Sequence, residues 1–213
     1  GKGRLEEVVG RMRMPGEARA ELVKLQSGDE ENLAIWQRMI ALSQEQFDQV
    51  YGRLGVAFDE TLGESFYNPQ LPGLVEELQG EGIAEESEGA MVVRFSGDKQ
   101  LTDKPAIVRK RDGAANYTTT DLATLKYRME TWSPTDIVYV TDGRQQLHFQ
   151  QLFNIFGRWQ QSASAKLEHV WFGSILGPDG KPFKTRSGET VRLADLLDEA
   201  EERALAVVSE KNP

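Results

Sequence analysis

Apolar positions along the chain recur with two different periods, and the period changes partway through. In the first third the spacing is helical. Pro15-Gly16 breaks the chain, after which Ala18, Leu22 and Leu25 recur at helical intervals. Gly28-Asp29 is a second break, with Asp29 placed as an N-cap. Over residues 30–54, Trp36, Met39, Ile40, Phe47, Val50, Tyr51 and Leu54 follow the i, i+3, i+4, i+7 rule, which predicts a long helix ended by Gly55. A short helix is predicted over 74–79, ending at Gly80. Residues 90–95 (AMVVRF) and 105–109 (PAIVR) are rich in β-branched residues and predict strands, with Ser96-Gly97-Asp98 as a turn.

The second half alternates strand and helix. Residues 136–141 (DIVYVT) form an apolar run of the buried-strand type, followed by the turn Asp142-Gly143. Residues 145–159 are amphipathic, with Phe149, Leu152, Phe153, Phe156 and Trp159 on one stripe that reads as core. Residues 169–176 (HVWFGSIL) predict another strand, 177–180 a loop, and 191–208 a last helix with Leu193, Leu196, Leu197, Ala200 and Ala204 inward. Strand, helix, strand at this spacing is a βαβ crossover, which needs parallel pairing. In open parallel sheets ligands sit beyond the carboxyl ends of the strands, so residues 141–145 and the loop after Leu176 are where a ligand is expected.

Composition narrows the class. With 39% hydrophobic and 28% charged residues in 213, the chain is expected to fold rather than stay disordered. It has no Cys, which removes disulfides, thiolate catalysis and Cys-ligated zinc, and its two His are too far apart for a metal-ligand spacing. A net charge of −9 argues against a general nucleic-acid binder. Charge is nonetheless clustered: Lys104, Arg109, Lys110 and Arg111 are basic, as are Lys181, Lys184 and Arg186, while Glu81, Glu85, Glu86 and Glu88 read as an acidic solvated face. No apolar run approaches the roughly 20 residues of a membrane span, and the N-terminus carries no secretory pattern. The chain opens Gly1-Lys2-Gly3 and closes Lys211-Asn212-Pro213 just after a helical pattern, so both ends read as cuts. There is no Walker loop, no GxGxxG, and no Ser/His/Asp order suited to acyl transfer. The residues alone lead to an α/β domain with a ligand site of unspecified type.

Longer motifs go further. FDETLGES (58–65), RDGAANYTTTDLAT (111–124), DIVYVTDGRQQLHFQQLF (136–153), FGSILGPDGKPFKTRSGETVRLADLLDEA (172–200) and the terminal EKNP occur in that order. In this order they resemble the arginyl-tRNA synthetases, class I aminoacyl-tRNA synthetases with a Rossmann-like catalytic domain. The resemblance implies the second half of that domain, a parallel sheet with a βαβ crossover at 105–213, preceded by a helical and α+β insertion at 1–104. It implies that Glu64, Tyr117, Asp121 and Gln145 line the arginine pocket. It also implies that the loop 180–188, with Lys181, Lys184 and Arg186, matches the KMSKS loop that acts on ATP, although Pro182 stands where that pattern has its first lysine.

The implied chemistry is coherent. A guanidinium is a planar fork of five donors, which carboxylates meet with paired charge-assisted hydrogen bonds and which lysine cannot imitate. Each residue also has a plainer reading. Thr118-x-x-Asp121 fits a capping box in which Asp121 caps its own helix. Tyr117 could be a hydrophobic staple, Glu64 a solvent-facing loop acid, Gln145 an ordinary first-turn residue, and the 180–188 loop a basic surface. His148 reads as a packed, hydrogen-bonded helix residue rather than a catalyst.

No HIGH loop is present. The resemblance therefore implies a fragment of a monomeric cytoplasmic arginine–tRNA ligase. The parent would activate L-arginine with ATP and Mg²⁺ and pass it to tRNA(Arg), activation requiring bound tRNA, and the fragment would be inactive alone. The alternative is a free-standing, non-catalytic arginine- or tRNA-binding module; a further one is an α/β domain that keeps only the fold.

Overall fold

The computed structural model describes residues 28–173 and 192–211, with Ala18, Ala20, Glu21, Lys24, Leu25 and Leu176. The chain divides into two compact units, one of residues 1–59 and 191–213, the other of residues 60–190.

In the first unit, helix α1 (Glu30–Leu54) starts where Asp29 accepts a hydrogen bond from the Asn32 amide at 3.0 Å, and stops at Gly55. Gly55 has φ +66°, the left-handed geometry that relieves the last carbonyls and suits glycine. Arg53, in its last turn, reaches Asp198 at 2.5 Å and Glu201 at 2.9 Å on the final helix Leu193–Lys211. The inward face expected on that final helix is not buried: no residue of it or of α1 is buried, and Leu193, Ala200 and Ala204 are exposed. Leu196 and Leu197 are only partly buried; helical periodicity shows that a face is apolar but not how far it is covered.

The second unit contains the core. A 3-10 helix (Glu64–Gln70) runs into α2 (Leu71–Gly80), which buries Leu71, Leu74, Val75 and Leu78. Three antiparallel strands follow, β1 (Glu85–Ser87), β2 (Ala90–Val93) and β3 (Ala106–Arg109), in that spatial order. β1 lies within the stretch read as an acidic solvated face. Three residues at a sheet edge give no apolar alternation to detect, and both glutamates of the strand stay exposed, Glu85 pairing with Arg94 at 2.6 Å. Helix α3 (Tyr117–Trp132) then packs Leu122, Ala123 and Leu125 into the same core.

Strand β4 (Asp136–Asp142), a short 3-10 turn (Gly143–Gln145), helix α4 (Gln146–Trp159) and strand β5 (Lys166–Phe172) form the expected crossover. β4 and β5 pair in parallel from Asp136↔Lys166 to Asp142↔Phe172. β5 therefore starts three residues before the predicted 169 and ends at Phe172, because its polar first residues are held by the register of β4. β4 is also less buried than its apolar run predicts: Ile137 is buried, but Val138 is 53% and Val140 63% exposed. One face of this pair is covered and the other is open among the described residues. The α4 stripe is core as expected, with Phe149, Leu152, Phe156 and Trp159 buried and Phe153 packed against them. Helix α5 denotes the final helix Leu193–Lys211. No described helix is long and apolar enough to cross a membrane.

Candidate functional site

Two helix N-termini carry three of the site residues, Tyr117, Asp121 and Gln145. The first is that of α3. Its first residue is Tyr117, with Asn116 at the N-cap and no side-chain cap bond. The capping-box reading is therefore corrected. Thr118 and Thr119 turn inward and are buried, and the Thr119 hydroxyl donates to the Val108 carbonyl of β3. The Asn116 amide donates to Ile107 O at 3.1 Å. Polar side chains that could have capped the helix instead tie it to the sheet, which leaves Asp121 available for other contacts.

Asp121 lies one helical turn beyond Tyr117, so both side chains share a face. Its Oδ2 accepts a hydrogen bond from His148 Nε2 at 2.6 Å. The His148 side chain is only 11% exposed, and the Tyr117 ring meets it edge-on with centroids 4.8 Å apart. One imidazole therefore touches both α3 residues that the motif singles out. His148 is packed and hydrogen-bonded as expected; the identity of its partner is new. No local pattern points to it, since Asp121 and His148 lie on different helices. Tyr117 itself is 58% exposed, so it is not buried as a staple.

The second N-terminus is that of α4. At the carboxyl end of β4, Asp142 accepts from the Arg144 backbone amide at 2.8 Å and from the Arg144 guanidinium at 2.8 and 3.0 Å. This shapes the 3-10 turn whose last residue is Gln145, exposed and three residues ahead of His148. Gly143 allows the turn to lie against Trp171 of β5: a Cβ there would stand 2.9 Å from the indole Cδ1. Below the turn, Phe149 stacks on His169 at 4.3 Å, and His169 shares a hydrogen bond with Thr141 at 2.8 Å. Tyr139 packs on Phe149 at 4.8 Å, and burial pushes its phenol well above the usual tyrosine range, with the nearby Arg128 guanidinium opposing.

Glu64 is the exposed first residue of the 3-10 helix. That segment is fastened to α3 by Phe66 and Tyr67, whose rings stand 5.1 and 5.8 Å from Tyr127. The structure therefore joins Tyr117 and Asp121 through His148, sets Gln145 just ahead of that histidine in the chain, and carries Glu64 on a segment docked to α3. Lys181, Lys184 and Arg186 lie outside the described residues. Among the described residues no group of three or more His, Asp or Glu could hold a metal ion.

The catalytic-domain model of the class I tRNA synthetases for arginine (R) matches residues 5–213. The chain belongs to the class I arginyl-tRNA synthetases. It is similar to the arginine–tRNA ligase of Klebsiella pneumoniae subsp. pneumoniae, 48% identical over 201 residues, which are 92% of this chain and 35% of that protein. The arginine–tRNA ligase of Chromobacterium violaceum is 47% identical with the same coverage. Among solved structures, the arginyl-tRNA synthetase of Plasmodium falciparum superposes with a TM-score of 0.77 at 28% identity, covering 98% of this chain and 33% of that one. That of Thermus thermophilus, at TM-score 0.61 and 21% identity over 98% of this chain and 44% of that one, shares the fold. The chain thus spans about a third of its curated relatives' length. Its mixed α/β architecture, with a parallel pair and crossover helix, is that of a class I synthetase.

Proposed function

We propose that this chain supplies the arginine side-chain pocket and the KMSKS-like loop of an arginine–tRNA ligase, which activates L-arginine with ATP and transfers it to tRNA(Arg). The supporting observation is the convergence of Tyr117 and Asp121 on His148, beside the carboxyl end of β4. Parallel α/β sheets take their ligands at such an end.

In this reading Glu64 and Asp121 meet the guanidinium with charge-assisted hydrogen bonds, Tyr117 lies against its plane, and the Gln145 amide adds a neutral contact. Lys181, Lys184 and Arg186 steady the charge that develops on the ATP phosphates as the carboxylate of arginine attacks. Mg²⁺ arrives with ATP as part of the substrate. Residues 105–213 carry Tyr117, Asp121, Gln145 and the loop, and residues 1–104 form the insertion before them, which contributes Glu64. The isolated chain, spanning about a third of its relatives, does not complete the reaction.

In the full-length protein, Glu64→Gln and Asp121→Asn should each raise the arginine KM by roughly 10–100-fold with the fold intact, as loss of one partner of a desolvated charge pair does. Unchanged arginine kinetics in both would reject the pocket. Cognate-tRNA-dependent ATP–pyrophosphate exchange by the 213-residue chain alone would reject its incompleteness. Arginine binding by a full-length protein that shows no exchange would favour the non-catalytic binding module instead.

A further inference from the structure

Asp121 is not free to turn in the site. Its Oδ2 is held at 2.6 Å by His148 Nε2, and a carboxylate can only accept there, so the imidazole donates. The other ring nitrogen, Nδ1, is buried and has no hydrogen-bond partner. A ring with an acceptor at one nitrogen and none at the other carries its proton at the first, which assigns the Nε2–H tautomer. The imidazole plane is itself fixed, by the Tyr117 edge at 4.8 Å and by Phe149 at 5.1 Å. With Oδ2 occupied, Oδ1 and one remaining lone pair of Oδ2 are the acceptors Asp121 has left for a ligand.

We propose that His148 is a positioning residue for guanidinium recognition: it orients the Asp121 carboxylate and the Tyr117 ring so that the free carboxylate oxygen meets the side chain of arginine. This rests on the pocket reading above. The role is indirect, because His148 acts through Asp121 and Tyr117 and forms no bond to the substrate.

The test is steady-state aminoacylation by the full-length protein, with arginine and ATP varied separately. His148→Leu keeps an apolar volume and removes the donor; His148→Gln keeps an N–H that reaches the Nε2 position. The Leu variant should raise the arginine KM about tenfold or more, leaving kcat and the ATP KM within about threefold, and the Gln variant should recover most of the loss. In an Asp121→Asn background the Leu change should add less than about threefold, because the two residues act as one unit. Equal KM for the Leu and Gln variants, parallel rises in the arginine and ATP KM, or additive effects with Asp121→Asn would each overturn the proposal. Should the Leu variant fail to fold, His148→Met replaces it. Met matches Gln in length but lacks the donor, so Met and Gln variants of equal arginine KM would overturn the proposal. Asp121→Asn alone separates the two layers. If it leaves the arginine KM unchanged, as Glu64→Gln does too, the pocket reading fails; if it alone leaves the KM unchanged, Asp121 has no place in the pocket and the positioning role falls with it. If it raises KM while His148→Leu does not, only the positioning role fails.

Discussion

Glu77 is a junction between three helices, and its two contacts differ in kind. From α2 its Oε2 pairs with Lys126 Nζ of α3 at 2.6 Å, and its Oε1 accepts from the Trp159 indole Nε1 of α4 at 3.0 Å. The Lys126–Glu77 pair is about one-third exposed on each side, so solvent screening limits it to about 0.5–1 kcal/mol. Trp159 is buried, at 5% exposure, and an indole N–H left there without an acceptor costs about 1–3 kcal/mol. The hydrogen bond to the tryptophan should therefore outweigh the ion pair. Glu77→Gln keeps an oxygen for the indole and should lose about 0.5–1 kcal/mol. Glu77→Ala removes both contacts and should lose about 2–3 kcal/mol. Lys126→Met removes the ion pair and the cation lying 5.3 Å from the Trp159 ring centre, for about 1 kcal/mol. Urea unfolding followed by circular dichroism, with the m value unchanged across the series, measures the differences. A Gln variant as unstable as the Ala variant, or a Lys126→Met loss larger than that of Glu77→Ala, would show that the ion pair dominates and refute the reasoning. The result bears on function because α3, which Glu77 braces, carries Tyr117 and Asp121.

Three further outcomes are expected. Thr119→Val should cost about 1–3 kcal/mol by leaving the buried Val108 carbonyl without its donor, and Thr119→Ser should recover most of it in the same unfolding assay. Gly143→Ala places a Cβ 2.9 Å from Trp171; the indole is 57% exposed and can pivot, so stability should fall by only about 1 kcal/mol while Trp171 fluorescence and the arginine KM both change. Because burial raises the Tyr139 phenol above its ordinary 10.0, the fold favours the un-ionised form. Stability should then fall, relative to Tyr139→Phe, as pH climbs above 10.0, and identical alkaline profiles for the two proteins would refute it.

What could be read from the chain differs by feature. The crossover was legible because β4, α4 and β5 switch hydrophobic period cleanly, and the α4 stripe needed only spacing to be placed in the core. The exposure of Val138 and Val140 was not legible: an apolar run looks the same whether one face or two is covered. Nor was the exposure of Leu193, Ala200 and Ala204 on α5, for the same reason. β1 left no signal because two of its three residues are glutamates. At the site, Tyr117 and Asp121 were named through motif order, and their shared face follows from helical spacing. Their meeting at His148 was hidden because it is a contact between two helices, and the capping reading failed because the helix starts at Tyr117, which puts Thr118 inside the first turn and not at the N-cap.

The parallel pairing of β4 with β5 also splits the site between two parts of this unit. α3, which carries Asp121, packs with α2 and β3, whereas α4, which carries His148, is the helix that crosses from β4 to β5. The hydrogen bond from His148 to Asp121 therefore joins the crossover to the rest of the unit. A local opening that lifts α4 from α3 would present Asp121 without that partner, even with α3 and the three-stranded sheet intact. Amide exchange in which α4 opens no more readily than α3 would show that the two helices open together.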